Sequence, residues 1–80
     1  MTTVRVRVFA SLRELAGAPE ITAEGDSVEE VIEALAERYG VRFGEVARAG
    51  SAVVDGERAE RSRSLTEGQE VALLPPFSGG

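Results

Sequence analysis

Ser27-Val28-Glu29-Glu30-Val31-Ile32-Glu33-Ala34-Leu35-Ala36-Glu37-Arg38-Tyr39-Gly40 is the stretch on which the fold turns. Ser27 begins it, and Glu30 stands where a glutamate can reach back to the helix start, the pattern of a capping box. Glu29 and Glu30 in the first turn also suit the positive end of the helix dipole. Val28, Val31, Ile32, Leu35, Ala36 and Tyr39 recur at the spacing of one helical face. Glu29, Glu33 and Glu37 fall on the opposite, solvated face. Gly40 is placed to stop a helix of residues 28–39. A single amphipathic helix this short is not stable alone, so its apolar stripe predicts a sheet to pack across.

Strands flank it on both sides. Val4-Arg5-Val6-Arg7-Val8 alternates strictly, with Phe9 following, and reads as a half-buried strand. Ser11 is the N-cap candidate for a short helix through Leu12, Leu15 and Ala16, with Gly17 as its stop. Residues 20–23 form a second short strand, paired with the first as a hairpin that the small helix interrupts. After the long helix, residues 41–50 allow two readings: another short helix, or a loop packed through Phe43 and Val46. Residues 52–54 are a strand, Asp55-Gly56 is a hairpin-type turn, and residues 57–59 begin a return strand. Residues 60–64 are a polar loop, after which Leu65 plugs into the core. A turn at 66–69 leads to the last strand, 70–74. The expected fold class is α+β: a mixed sheet of four to five strands on one main helix, with one or two short helices. If the last strand lies beside the first, as in a β-grasp roll, the chain leaves the domain from a rigid strand end.

Composition narrows the chemistry. With 80 residues, 42% of them apolar and 29% charged, the chain makes one small domain. It has no cysteine and no histidine. That excludes disulfides, a thiol nucleophile, zinc sites of the usual kind and Ser-His or Cys-His catalysis. A net charge of −5 disfavours nucleic acid as a partner. No apolar stretch reaches membrane-spanning length and no signal-peptide h-region is visible, so a cytoplasmic protein with no membrane partner is expected. All nine basic residues are arginine, which leaves the N-terminus as the one amine open to acylation.

No catalytic set emerges. Glu29, Glu30, Glu33 and Glu37 mostly share a solvated helical face. Asp55-Gly56-Glu57 lacks the further ligands of a calcium loop and reads as a tight turn. Ser11, Ser27, Ser51, Ser62, Ser64 and Ser78 have no histidine to activate them. No glycine-rich phosphate loop follows a strand. The remaining reactive candidate is the terminal carboxylate. Residues 1–74 make the domain, and 75–80, Pro75-Pro76-Phe77-Ser78-Gly79-Gly80, make a tail. Pro75 and Pro76 stop the ladder, since neither has an N–H and both fix φ. An extended tail of this length spans at most ~20 Å and tapers to two glycines without side chains. It fits a narrow channel in a partner; the alternative is a frayed terminus. A carboxylate becomes an acyl donor once its oxygen carries a leaving group such as AMP, and no cysteine is then needed to hold sulfur on the main-chain end.

The C-terminal Gly79-Gly80, the preceding Leu73-Leu74-Pro75-Pro76-Phe77-Ser78 and the early Phe9-Ala10-Ser11-Leu12-Arg13-Glu14-Leu15-Ala16-Gly17 carry a resemblance. So does Leu65-Thr66-Glu67-Gly68-Gln69-Glu70-Val71. Over nearly its whole length the chain resembles the small subunit of molybdopterin synthase, a ubiquitin-like sulfur carrier of the β-grasp fold. The resemblance implies that an adenylating enzyme of the ubiquitin-activating type uses ATP to charge Gly80. Sulfur from a donor enzyme then converts the adenylate to a thiocarboxylate. Ser78, Gly79 and Gly80 insert into the large synthase subunit, and the sulfur passes to a cyclic pterin precursor to build the molybdopterin dithiolene. The assembly implied is a heterotetramer. The small subunit binds no cofactor or metal and supplies no catalytic group.

The resemblance further implies a partner interface of Phe9, Arg13, Leu74, Pro75, Pro76 and Phe77. On the residues alone, Phe9 is either buried at the end of the first strand or turned to the partner. Arg13 is either an interface residue or a solvated helix charge. Leu74 is core if its strand is central and partner-facing if it lies at the sheet end. Arg58 stands where some family members have an apolar residue. Two other outcomes keep the same terminal chemistry: a carrier for thiamine thiazole or cysteine synthesis, and a ubiquitin-like modifier conjugated through Gly80.

Overall fold

The computed structural model describes residues 2–76. Strand β1 (Thr3–Val8) is followed by helix α1 (Ala10–Ala16), strand β2 (Glu20–Glu24) and the long helix α2 (Val28–Tyr39). Helix α3 (Val41–Ala49) and strands β3 (Ser51–Val54), β4 (Glu57–Ala59) and β5 (Glu70–Leu74) complete the chain. The sheet has five strands in the order β2-β1-β5-β3-β4. β5 lies parallel to β1, with Val6 beside Val71 and Val8 beside Leu73, and antiparallel to β3, with Ser51 beside Leu74. β1 and β2 pair antiparallel, from Thr3 and Glu24 to Arg7 and Glu20. This is the β-grasp roll, with the last strand central.

One face of the sheet carries the core. Val4, Val6, Val8, Ala23, Ala52, Val54, Val71 and Leu73 meet Leu12 of α1, Val28, Val31, Ile32 and Leu35 of α2, and Phe43 and Ala47 of α3. Leu65 is buried among them as expected. Each fully buried Val or Leu contributes about 1.5–3 kcal/mol relative to exposure, so α2, with most of its stripe in this layer, holds the domain together.

α2 begins as its sequence predicts. Ser27 Oγ accepts the Glu30 N–H at 3.2 Å, and Glu30 Oε1 accepts the N–H of Asp26 at 2.8 Å. The first free N–H groups of the helix find partners in the 60–64 loop: Val28 donates to the Arg63 carbonyl and Glu29 to that of Arg61. That loop is therefore stitched to the helix start.

Two readings are corrected and one is settled. Ser11 is not the N-cap of α1. Phe9 takes that place, its carbonyl accepting from Leu12 at 3.1 Å and Arg13 at 3.4 Å. The helix starts two residues earlier, at Ala10, whose φ of 51° turns the chain from strand into helix across Phe9 alone. Glu29 is not a purely solvated charge. Arg48 of α3 approaches its carboxylate at 2.9 Å and Arg61 at 3.8 Å. Residues 41–49 are helical. Gly40, at φ 111°, joins α2 to α3 directly, and Tyr39 and Phe43 stack with ring centroids 5.6 Å apart.

Candidate functional site

β5 determines where the tail leaves the domain. Its inner residues Val71 and Leu73 are fully buried, and neighbours on both sides hold it in register. Pairing with β1 ends at Leu73, and pairing with β3 ends one residue later at Leu74. Pro75, half-buried, and Pro76, exposed, carry the chain off the sheet. The tail residues Phe77, Ser78, Gly79 and Gly80 lie outside the described residues.

The second feature is the helix-free face of the sheet. Alternation along each strand sends Arg5 and Arg7 of β1, Glu70, Ala72 and Leu74 of β5, Ser51 and Val53 of β3 and Arg58 of β4 to this side. Their registers align Arg7, Ala72, Val53 and Arg58 in one row across four strands. Next to that row, nearer the tail, stand Phe9, Leu74 and Ser51. The row is apolar at its centre with a guanidinium on either side, and Glu20 of β2 continues it beyond Arg7.

Phe9 is 38% exposed. It extends β1 with the parity of Arg5 and Arg7, and the Arg7 guanidinium sits 5.9 Å from its ring centroid, a contact worth about 0.5–1 kcal/mol at an exposed site. Leu74 is half-buried: its strand is central, which alone would make it core, yet it stands on the last rung of the sheet and points away from the core. Arg13 is exposed on α1, which starts from this same end of the sheet. The structure thus brings Phe9, Leu74 and Pro75 together beside the tail. Ala72, Val53 and Arg7 belong to the same surface. Their signal was the strand alternation itself, once the strand order is known.

Among the described residues no buried side chain is polar or charged, and no group of three or more acidic residues is set to hold a metal ion. A cavity of about 500 Å³ opens between α2, α3 and the β3–β4 hairpin, with Arg48, Arg58 and Arg61 on its rim. Arg48 and Arg61 already face Glu29, and Glu60 also lines the opening, so the rim carries charge of both signs. Among the described residues no helix is long and apolar enough to cross a membrane. The described scaffold therefore presents a helix-free, partly apolar face next to the end of its central strand.

The same architecture recurs in solved structures. Small archaeal modifier protein 1 from Methanosarcina acetivorans is 28% identical, with a TM-score of 0.83 over 100% of this chain and 98% of its own. A Pyrococcus furiosus protein described as molybdopterin converting factor subunit 1 is 28% identical, with a TM-score of 0.80 over 95% of this chain and 99% of its own. In a Helicobacter pylori complex of subunits 1 and 2 of molybdopterin-converting factor, the matching chain has a TM-score of 0.67 at 19% identity, over 99% of this chain and 100% of its own, a likeness of fold. Comparison with curated proteins gives no match. The sequence pattern of the ubiquitin-like sulfur carriers runs through residues 6–80, from the first strand to the terminal diglycine, and by that match the chain belongs to the ThiS family.

Proposed function

We propose that this protein is the sulfur-carrying small subunit of a molybdopterin synthase, a non-catalytic partner acting in the cytoplasm. The observation that carries the reading is a central strand, paired on both sides, that ends in Pro75-Pro76 close to a terminal diglycine. The activating enzyme supplies ATP. The Gly80 carboxylate attacks its α-phosphorus, pyrophosphate leaves, and an acyl-adenylate forms. Hydrosulfide delivered by a donor enzyme then attacks the acyl carbon and displaces AMP, which leaves a thiocarboxylate on Gly80. Ser78, Gly79 and Gly80 carry it into the large subunit, where sulfur passes to the pterin precursor.

Docking to that subunit is the task of the helix-free face. Phe9, Leu74, Pro75 and Pro76 supply apolar contact next to the tail, Phe77 enters with it, and Arg13 adds a charge at the rim. An interface core is apolar and its rim polar, which matches Ala72 and Val53 between Arg7 and Arg58. The likeness to the Pyrococcus furiosus protein supports this pathway. The pairing of two subunits in the Helicobacter pylori complex supports a heteromeric assembly.

The likeness to the archaeal modifier favours a second reading, conjugation of Gly80 to lysines of other proteins. This chain has no lysine of its own to extend such conjugates. One experiment separates the two. The protein is incubated with ATP, a sulfur source and its activating enzyme, then weighed intact. An oxygen-for-sulfur exchange is expected, and deletion of Gly80 abolishes it while the fold survives. Molybdopterin formation by the truncated chain refutes the carrier; a ladder of heavier covalent products supports the modifier instead.

A further inference from the structure

Gly50 lies between α3 and β3, with no linker on either side. Its N–H donates to the carbonyls of Val46 at 3.1 Å and Ala47 at 3.2 Å, which ties it to the end of α3. The next residue, Ser51, pairs with Leu74 in the last rung of the sheet. Gly50 therefore stands against the root of the tail. A Cβ built on it would overlap the carbonyl oxygen of Leu74 and come within 2.9 Å of the Leu74 carbonyl carbon and 3.0 Å of that of Pro75. All of these are backbone atoms, which cannot rotate out of the way. The φ of −94° lies outside the left-handed region that favours glycine, and what the site lacks is space for a Cβ.

The consequence depends on which side gives. Gly50 is tied to the end of α3 by its one N–H, shared between two carbonyls, and α3 is itself anchored in the core through the buried Phe43 and Ala47. Upstream of Leu74, β5 is buried and paired with both neighbours. At Leu74 the β1 partner has run out, and beyond it two prolines have no N–H to bond. The compliant point is the Leu74–Pro75 link. We propose that Gly50 is a positioning residue: its bare α-carbon lets the Leu74 carbonyl lie flush and so sets the direction in which the tail departs. This rests on the carrier reading for its consequence, since a tail that must deliver one carboxylate to a reacting phosphorus is sensitive to aim.

The test has a partner-free arm and an enzymatic arm. In NMR spectra of the free full-length protein, Gly50→Ala should move the resonances of Leu74, Pro75 and Pro76 and leave Val6, Val71 and Ala47 in place. Shifts concentrated in Val46 and Ala47, with Pro75 and Pro76 unmoved, would overturn the proposal, because the helix end would then have yielded. In adenylation assays with the activating enzyme, Gly50→Ala should lower kcat by about tenfold or more while KM changes little, as expected for a misaimed reactant. Thermal unfolding of Gly50→Ala should place the assay temperature well below its transition, so that the lost turnover reports aim and not unfolding. Turnover of folded Gly50→Ala equal to that of the unsubstituted protein overturns the inference. An unsubstituted protein that is never adenylated refutes the carrier reading alone, and the NMR arm still decides the role of Gly50.

Discussion

Val71 and Leu73 point one way from β5, Ala72 and Leu74 the other. The first pair is fully buried and the second half-exposed, within one strand and with the same class of residue. The helices have claimed a single face of the sheet, and the other face holds apolar residues that the fold does not need. A surface free of folding duty can be shaped for a partner. The sharpest way to break this contrast is to truncate neighbours. Leu73→Ala is expected to cost about 2–5 kcal/mol of stability, because it opens a cavity that packed surroundings fill only in part. Leu74→Ala is expected to cost less than about 1 kcal/mol and, on the proposed function, to weaken binding to a large synthase subunit. Urea unfolding of both variants checks the first half and titration with the large subunit the second. Equal losses of stability would erase the distinction between the faces.

Much of the covered face was legible from the chain. The 3.6-residue stripe of α2, its Ser27 cap, the strict alternation of β1 and the Asp55-Gly56 turn are local signals, and each appears where it was read. Asp55 and Gly56 take φ of 48° and 86°, the paired positive values that a tight hairpin requires. Helix α3 was ambiguous because Gly44 interrupts it and Val41 is wasted on solvent. Its stability comes from α2, where a Cβ on Gly44 would stand 3.0 Å from the Cβ of Ala36 and where Arg48 reaches Glu29. Those are contacts between distant positions that periodicity does not encode. The open face was half-legible. Phe9, read from the sequence as either the buried end of a core-facing alternation or a partner contact, shares its parity with Arg5 and Arg7 and is exposed. The parity of Leu74 with Glu70 and Ala72 says the same, yet the neighbours that make this a surface depend on strand order. Gly80 lies outside the described residues, and its reading rests on the chemistry of a terminal carboxylate.

The capping end of α2 offers a smaller test. Ser27→Ala removes the acceptor of the Glu30 N–H, a loss of about 1 kcal/mol for a helix N-cap. The carbonyls of Arg61 and Arg63 continue to hold the neighbouring N–H groups, so the helix shortens little and the core stays closed. Thermal unfolding should register the drop, while adenylation of Gly80 at a temperature well below the transition should proceed as before. A cap variant that unfolds no earlier would show that the 60–64 loop alone closes the helix start. One that loses adenylation while folded would mean that the covered face also serves the partner.

The smallest effect is expected where the chain crosses from one face to the other. Phe9 belongs to the open side and Leu12 to the core, and Ala10 makes the crossing at φ 51°. A left-handed conformation costs a residue with a Cβ about 1–2 kcal/mol. Glycine avoids that cost but gives up about 0.5–1 kcal/mol through the greater freedom of its unfolded state. Ala10→Gly should therefore stabilise the protein by roughly 0.5 kcal/mol, visible as a small rise in the urea midpoint at unchanged slope. If the strained alanine also keeps Phe9 turned outward, the same variant should bind the large subunit slightly less well in spite of its greater stability. Opposite signs for stability and binding at one residue would place the boundary between the two faces at Ala10; a gain in both would put it elsewhere along the first strand.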